Sequence, residues 1–303
     1  MPGVITRSNH PDALWPGIKS WYGKNYDQFP VEWSQIFEEM DSDKAYEKIG
    51  ETTGFGLAKT KSEGDTIEYD SDQEGTMSTF THAVYALGYM VTEEELEDNL
   101  YADVSRKRSR ALSFSMRTTQ EIIHANILNR ASNGSYLGGD GVALASAAHP
   151  TISGNQSNLL TGADLSEASI EDGLKTIAAA RNARGLQIAI RGEKLIVSLY
   201  DMFNAERILK SQLRVGTANN DINAMKNMGL LPKGVAVNHY LSDVNAWGIQ
   251  TNVDDGLVSF WRRKPTLQQD SDFDTSNAKT KSSMRFAAGW GDWRGVYWNQ
   301  GSS

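Results

Sequence analysis

Five histidines, 38 carboxylates and no cysteine are the raw material for any catalytic or metal chemistry in this chain. A zinc centre would want histidines at H-x-x-x-H spacing or inside H-E-x-x-H, so that two rings reach one ion from one helix face. His10, His82, His124, His149 and His239 are scattered, and neither pattern occurs. Asp70-Ser71-Asp72-Gln73-Glu74-Gly75 matches the first half of a calcium loop, with oxygen donors on alternating residues and glycine sixth. The twelfth position is Thr81, where a bidentate glutamate must close the site, so the match fails and the stretch reads as a solvated turn. Asp270 to Thr275 lacks the glycine as well. Gly289-Trp290-Gly291-Asp292-Trp293-Arg294-Gly295 has neither the spacing nor the following helix of a dinucleotide turn. No phosphate loop and no G-x-S-x-G elbow occurs. The carboxylates fall in charge runs, the pattern of a solvated face rather than of an isolated acid–base pair. Arg106, Lys107, Arg108 and Arg110 could meet phosphates, but acidic neighbours on the same helix favour ion pairing within or between subunits. No catalytic, cofactor-binding or metal-binding residue emerges, and the chain reads as non-enzymatic.

The elements that would have to position any such groups are more informative. Val91 to Ala131 reads as one long helix with Thr92 at the N-cap and Glu95 completing a capping box. Leu96, Leu100, Val104, Leu112, Met116, Ile123 and Ile127 give it a narrow apolar stripe. At about 1.5 Å per residue it would reach roughly 60 Å, more than a compact domain needs, which implies a flat subunit that tiles against copies of itself. Gly54 to Tyr89 reads as a long β-hairpin: Thr66 to Asp70 and Thr76 to Tyr89 alternate, and Ser71 to Gly75 turns. Such a ribbon is marginal alone and needs a partner surface.

The first thirty residues carry scattered aromatics without a period, fitting an extended arm or an ordinary irregular terminus. Glu32 to Ile49 is predicted to be a short amphipathic helix, and Asp164 to Arg184 and Met202 to Leu213 are predicted to be helices, Gly185 ending the first. Leu186 to Ile190, Leu195 to Leu199, Val235 to Tyr240, Gly248 to Asn252, Gly256 to Arg263 and Lys279 to Trp290 read as strands. The mixture, ending in antiparallel-type strands, is an α+β pattern with seams near Leu160 and near Asp243 to Trp247.

With 303 residues, 39% hydrophobic and 22% charged, the chain can bury a substantial core. Its net charge of -8 argues against a dedicated nucleic-acid binder, though not against a container whose wall should not grip its contents. Without cysteine, disulfides and thiolate sites are excluded. No run of 18 apolar residues and no signal-like segment occurs, so a soluble protein made in a cytoplasm is expected, with its two glycosylation sequons as chance matches.

Gly185 to Arg191 with Glu193 to Val197, Ala205 to Ser211, Arg214 to Asn223, and Val237 to Leu241 running on to Trp247 resemble the Mu-like major head subunit family of tailed phages. The order of elements resembles the Hong Kong 97-like capsid fold. The resemblance runs from about Val31 to the end and is strongest from His149 to Trp247. It implies an arm and short helix over 1–50, an extended loop over 51–91, a spine helix and peripheral domain over 92–159, an axial domain over 160–243, and a return to the peripheral domain over 244–303. It implies a major capsid protein that self-assembles through hexamers and pentamers into an icosahedral shell around double-stranded DNA, without cofactor or membrane. Scaffold and portal proteins would be partners; a long N-terminal scaffolding segment of some members is missing, so a separate scaffold or a processed chain is expected. The location would be the virion, and the host cytoplasm during assembly.

Residues expected to serve self-assembly are Glu63, Gly64, Asp65, Asp72 and Gly75 at the hairpin tip, Arg106, Arg108 and Arg110 on the long helix, and Arg214, Asn219 and Asn220 in a polar axial loop. A covalent Lys–Asn link through Lys59 or Lys61 has no marked partner, so mature shells should release single 33.4 kDa chains in hot detergent. The competing readings are an encapsulin-type nanocompartment shell and a hydrolase built on the middle α/β unit.

Overall fold

The computed structural model describes residues 15–92, 94, 101–213, 221–271 and 277–302. Two four-stranded sheets and one long helix organise them. The first sheet has the order β1 (Glu38–Asp41), β10 (Leu257–Ser271), β11 (Ala278–Trp290), β4 (Ala83–Val91). β1 joins β10 in parallel, and the other pairs are antiparallel. The second has the order β12 (Val296–Asn299), β9 (Trp247–Thr251), β7 (Gly192–Ser198), β8 (Val235–Asn238). Smaller pairs are β2 (Tyr46–Thr52) with β3 (Glu74–Thr81), and β5 (His149–Thr151) with β6 (Gly154–Gln156).

α1 (Trp15–Gln28) lies against α2 (Tyr101–Asn129), and both cover the first sheet. Tyr22, Trp33, Ile36, Phe37, Leu112, Met116, Trp261 and Phe286 fill that core. The second sheet is buried on both faces: successive strand residues point opposite ways, and the two sets enter different cores. Leu195 and Val197 of β7 face α3 (Glu167–Ala178) and α4 (Met202–Lys210), whereas Ile196 between them faces the first core. This two-sided burial explains the unbroken apolar run Leu195-Ile196-Val197 and suits a parallel neighbour, β8, reached through α4 and α5 (Ala224–Asn227).

At the centre of the first core, His124 of α2 is fully buried. Its ring stacks on Trp33 at 4.5 Å and on Phe286 at 5.3 Å, with the edge of Phe37 at 5.0 Å. Its Nδ1–H donates to the carbonyl of Gln120 (2.7 Å), and its Nε2 accepts from the Ser259 hydroxyl (2.9 Å). Burial pushes its pKa down to about 4, opposed in part by the Gln120 carbonyl. One helical turn away, the buried Glu121 carboxylate accepts from the backbone N–H of Glu32 (3.0 Å) and Trp33 (2.9 Å).

Four sequence expectations change here. Residues 32–49 form no helix: Trp33–Gln35 is a single 3-10 turn, and β1 and β2 follow. Trp33, Ile36 and Phe37 are buried as the spacing implied, but Glu121 fixes the turn and β10 captures the next residues, so tertiary partners override a helix-like pattern. Trp15, Trp21, Tyr22 and Tyr26 sit on a helix, α1, with Phe29 just past its end: Arg117 lies over the Tyr26 ring (3.9 Å), and the Tyr22 hydroxyl meets Ser282 (2.7 Å). The hairpin is built differently, since β3 and β4 separate at His82 and join different sheets, and residues 53–73 carry no strand. Finally, α3 ends at Ala178 and residues 186–190 make one isolated bridge rather than a strand. The Asn182 side chain accepts from the N–H of Arg184 (3.0 Å) and Leu186 (2.8 Å), a local turn that competes with helix and ladder alike.

The described length of α2 is 29 residues, or about 43 Å. Thr92 precedes it, and Glu95 of the expected capping box lies outside the described residues.

Candidate assembly surfaces

The loop over residues 53–73 projects between β2 and β3 with little to bury of its own. Leu57 is 79% exposed and Tyr69 89%, and Phe55 and Ile67 are exposed beside them. Large apolar side chains left in water on one excursion mark a surface that another body covers. A second exposed set, Leu199, Tyr200 and Phe203, surrounds the start of α4, with Ile222 and Met228 exposed nearer α5.

The loop's neck is hydrogen-bonded. Asp72 Oδ1 accepts from the N–H of Gly54 (2.8 Å) and the hydroxyl of Thr53 (3.1 Å). Asp70 Oδ2 accepts from the N–H of Gly56 (2.7 Å) and from Arg184 (2.8 Å). Gly75 belongs to β3, where a Cβ would stand 2.9 Å from the Glu51 carbonyl, so close strand approach requires glycine. Glu63, Gly64 and Asp65 are exposed in the outer turn, with Gly64 at φ +88°. Of the five expected tip residues, then, three are at the tip, while Asp72 and Gly75 are part of the neck. Arg106 and Arg110 are exposed and Arg108 half-buried on α2, and Arg108 acts electrostatically on Tyr89 of β4. Arg214, Asn219 and Asn220 lie outside the described residues. The expected residues that the structure describes do not converge on one site.

Sequence reasoning missed Asp70, Arg184, Glu51 and Arg294. Asp70 lay in the failed calcium loop; the Arg184–Asp70 and Arg294–Glu51 pairs each join residues over a hundred positions apart and leave no local signal. The Arg294 side chain is 2% exposed and pairs with Glu51 (2.9 Å) and Asp292 (3.2 Å), and its Nε–H donates to the Arg181 carbonyl (3.0 Å).

Two buried polar clusters have the residue types of catalysis without its geometry. Ser42 Oγ is 2.9 Å from His82 Nε2, but it also donates to Glu47 Oε1 (2.8 Å), and His82 Nδ1 is buried without a partner. With the hydroxyl proton given to Glu47 and no carboxylate behind the ring, Ser42 is not activated as a nucleophile. His149 stacks on Trp293 at 4.2 Å, with its ring nitrogens facing Asp140 Oδ2 (2.5 Å) and Asn158 Oδ1 (3.0 Å), and it is wholly buried. Among the described residues no group of His, Asp and Glu could hold a metal ion, and no helix is long and apolar enough to cross a membrane.

Residues 76–299 match the family model of the phage capsid protein. The chain belongs to the phage capsid protein family. This capsid protein is similar to a chain of the mature capsid of bacteriophage PhiM1, with a TM-score of 0.57 at 11% identity over 91% of this chain and 88% of that one. It is similar also to the capsid of an empty GTA particle, with a TM-score of 0.56 at 9% identity over 100% of this chain and 93% of that one. A third likeness is to Mycobacterium phage Patience, at TM-score 0.53 and 10% identity, over 100% of this chain and 90% of that one. At such identities the likeness establishes the fold, the Hong Kong 97-like capsid class of α+β architecture. No curated protein sequence matches the chain. The family points to a structural, non-enzymatic protein of the virion.

Proposed function

We propose that this capsid protein is the major head subunit of a tailed phage, and that its copies close through hexamers and pentamers into an icosahedral shell around double-stranded DNA. The observation that carries this reading is the projecting 53–73 loop, whose apolar residues are exposed in the single subunit. A neighbouring copy would bury them. Within the family, the segments around Gly185 to Asn223 support the Mu-like branch. The reading divides the chain into arm (1–50), extended loop (51–91), spine and peripheral domain (92–159), axial domain (160–243) and peripheral return (244–303). Scaffold and portal proteins are its partners in the host cytoplasm during assembly, and the DNA is enclosed without sequence-specific contact. Co-expression with a scaffold, followed by sedimentation and nucleic-acid analysis of the particles, tests the proposal. Large uniform particles are expected, and a chain that sediments as a monomer under every assembly condition would contradict it. Packaged protein without genome would instead identify an encapsulin-type compartment.

The polar segment 214–223 is the proposed contact around the capsomer axis, its described end Asn223 being buried as the cap of α5. Asparagine, threonine and glycine make adaptable hydrogen bonds that can serve fivefold and sixfold rings alike. Replacing Asn219 and Asn220 together by glutamate would ring an axis with like charges. Capsomers are expected to fail while circular dichroism shows a folded monomer; shells at unchanged yield would move this loop off the axis.

A further inference from the structure

We propose that Arg184 is a positioning residue whose clamp on Asp70 and Ser71 sets the angle at which the 53–73 loop leaves the subunit, and so presents it to a second copy of this chain. The inference rests on the shell-subunit reading above.

Four features carry it. First, the loop has no strand of its own beyond the β2–β3 ladder, so its direction must be fixed at its root. The neck is closed by Thr53 N–H to the Gln73 carbonyl (3.0 Å), by Gln73 N–H to the Thr53 hydroxyl (3.1 Å), and by the Asp72 contacts. Just beyond it, Asp70 receives both Gly56 N–H and Arg184, and Arg184 Nη2 donates to the Ser71 carbonyl. Both legs of the loop are therefore held at one carboxylate.

Second, the anchor is itself fixed. Arg184 N–H is held by Asn182, whose carbonyl accepts from Gln156, and the neighbouring Ala183 carbonyl accepts from Ser153 N–H (3.0 Å). Gly185 follows at φ +84°, a left-handed position that lets the chain turn away immediately after the arginine.

Third, a second tie reaches the same turn: buried Arg294 joins Glu51 of β2 to the Arg181 carbonyl. One attachment would leave a hinge, whereas two attachments a few residues apart define an angle.

Fourth, the Arg184–Asp70 pair is partly in solvent, with side chains 22% and 46% exposed. Partly exposed pairs add little to global stability. The Gly56 N–H first, and the Arg184 guanidinium next, hold the Asp70 carboxyl below the usual carboxylate range, so it remains ionised for the pair near neutral pH. A contact this well organised and this weakly stabilising is suited to direction rather than to folding.

The test compares wild type with R184A and R184K, first as unassembled full-length subunits. In R184A, amide exchange at Gly56 and Ser71 should accelerate about ten-fold, with the melting temperature within about 2 °C of wild type. R184K can reach Asp70 but not Asp70 and Ser71 together, so it should fall between. Under assembly conditions, R184A should form several-fold fewer closed shells and more open or irregular sheets. Unchanged exchange in R184A would overturn the clamp. Faster exchange with normal shells would show that the clamp exists but does not position the loop, which also overturns the proposal. A wild-type chain that never assembles would contradict the shell reading, and the exchange comparison on the subunit would still decide the clamp.

Discussion

Replacing Asn158 by aspartate is expected to abolish the folded subunit at 37 °C. Asn158 is fully buried, and its amide nitrogen donates to the carbonyls of Leu144 (2.7 Å), Trp293 (3.0 Å) and Val296 (3.0 Å). Its Oδ1 accepts from Ser146 N–H (2.9 Å) and His149 Nε2 (3.0 Å). One side chain therefore joins the passage after α2, the β5–β6 region and the last strand. The orientation of the amide is settled by its surroundings, because a flipped group would set an oxygen against three carbonyl oxygens. Aspartate does the same and adds a buried negative charge. Stranding the three buried carbonyls costs about 1–3 kcal/mol each, and the desolvated charge, met only by Ser146 N–H and His149, adds to that. The sum rivals the roughly 5–15 kcal/mol that holds an ordinary domain. Asn158→Ala, which removes donor and acceptor alike without adding charge, should cost less, about 3 kcal/mol. Urea denaturation followed by tryptophan fluorescence measures both; an aspartate variant within about 1 kcal/mol of wild type would show that the junction tolerates what its geometry forbids.

His124 should make the subunit sensitive to mild acid. Its folded pKa is about 4 against an unfolded value near 6.5, so the unfolded chain takes up its proton first as pH falls. The stabilising contribution of the neutral ring is complete above about pH 6.5 and drains away down to about pH 4, a loss of about 3 kcal/mol. Desolvation raises the pKa of neighbouring Glu121, which acts in the opposite direction: its proton is bound more tightly in the folded state, so its contribution grows as pH falls. The difference between wild type and His124→Phe cancels that term. The phenylalanine variant keeps the stack on Trp33 and Phe286 but leaves the Ser259 hydroxyl without its acceptor, costing about 1–2 kcal/mol at neutral pH. Its deficit should shrink towards pH 4 and reverse, whereas His124→Ala, which opens a cavity, should cost about 3–4 kcal/mol throughout the neutral range. A wild-type stability curve parallel to that of the phenylalanine variant from pH 7 to 4 would show that the ring does not titrate as its burial implies.

The elements legible in the sequence were those whose periodicity and partners are local or repeated. The apolar stripe of α2, the buried run Leu195 to Val197 and the alternation of β11 each announced a regular element. The 32–49 segment misled because Trp33, Ile36 and Phe37 are spaced like a helix face, while the groups that decide their conformation, Glu121 and β10, lie far along the chain. The hairpin was half legible: both strands exist and β3 alternates, but β4 leaves Val84 and Leu87 exposed, and at the break the buried His82 meets Ser42, forty residues away in the chain. The candidate surfaces divide in the same way. The hairpin pattern pointed to a ribbon needing a partner surface, but its exposed apolar residues emerged only in the structure, and nothing near Asp70 in sequence indicates Arg184. Family membership rested on extended segments of similarity rather than on any catalytic motif, as expected for a protein whose work is done by shape and contact.

Electron cryomicroscopy of the particles formed by the co-expressed protein tests the shell reading most directly. The maps should show closed shells of sixfold and fivefold capsomers, with Phe55, Leu57, Ile67 and Tyr69 of each subunit covered by a neighbour. A folded chain that yields no symmetric particle, or particles in which those four side chains remain in solvent, would contradict it.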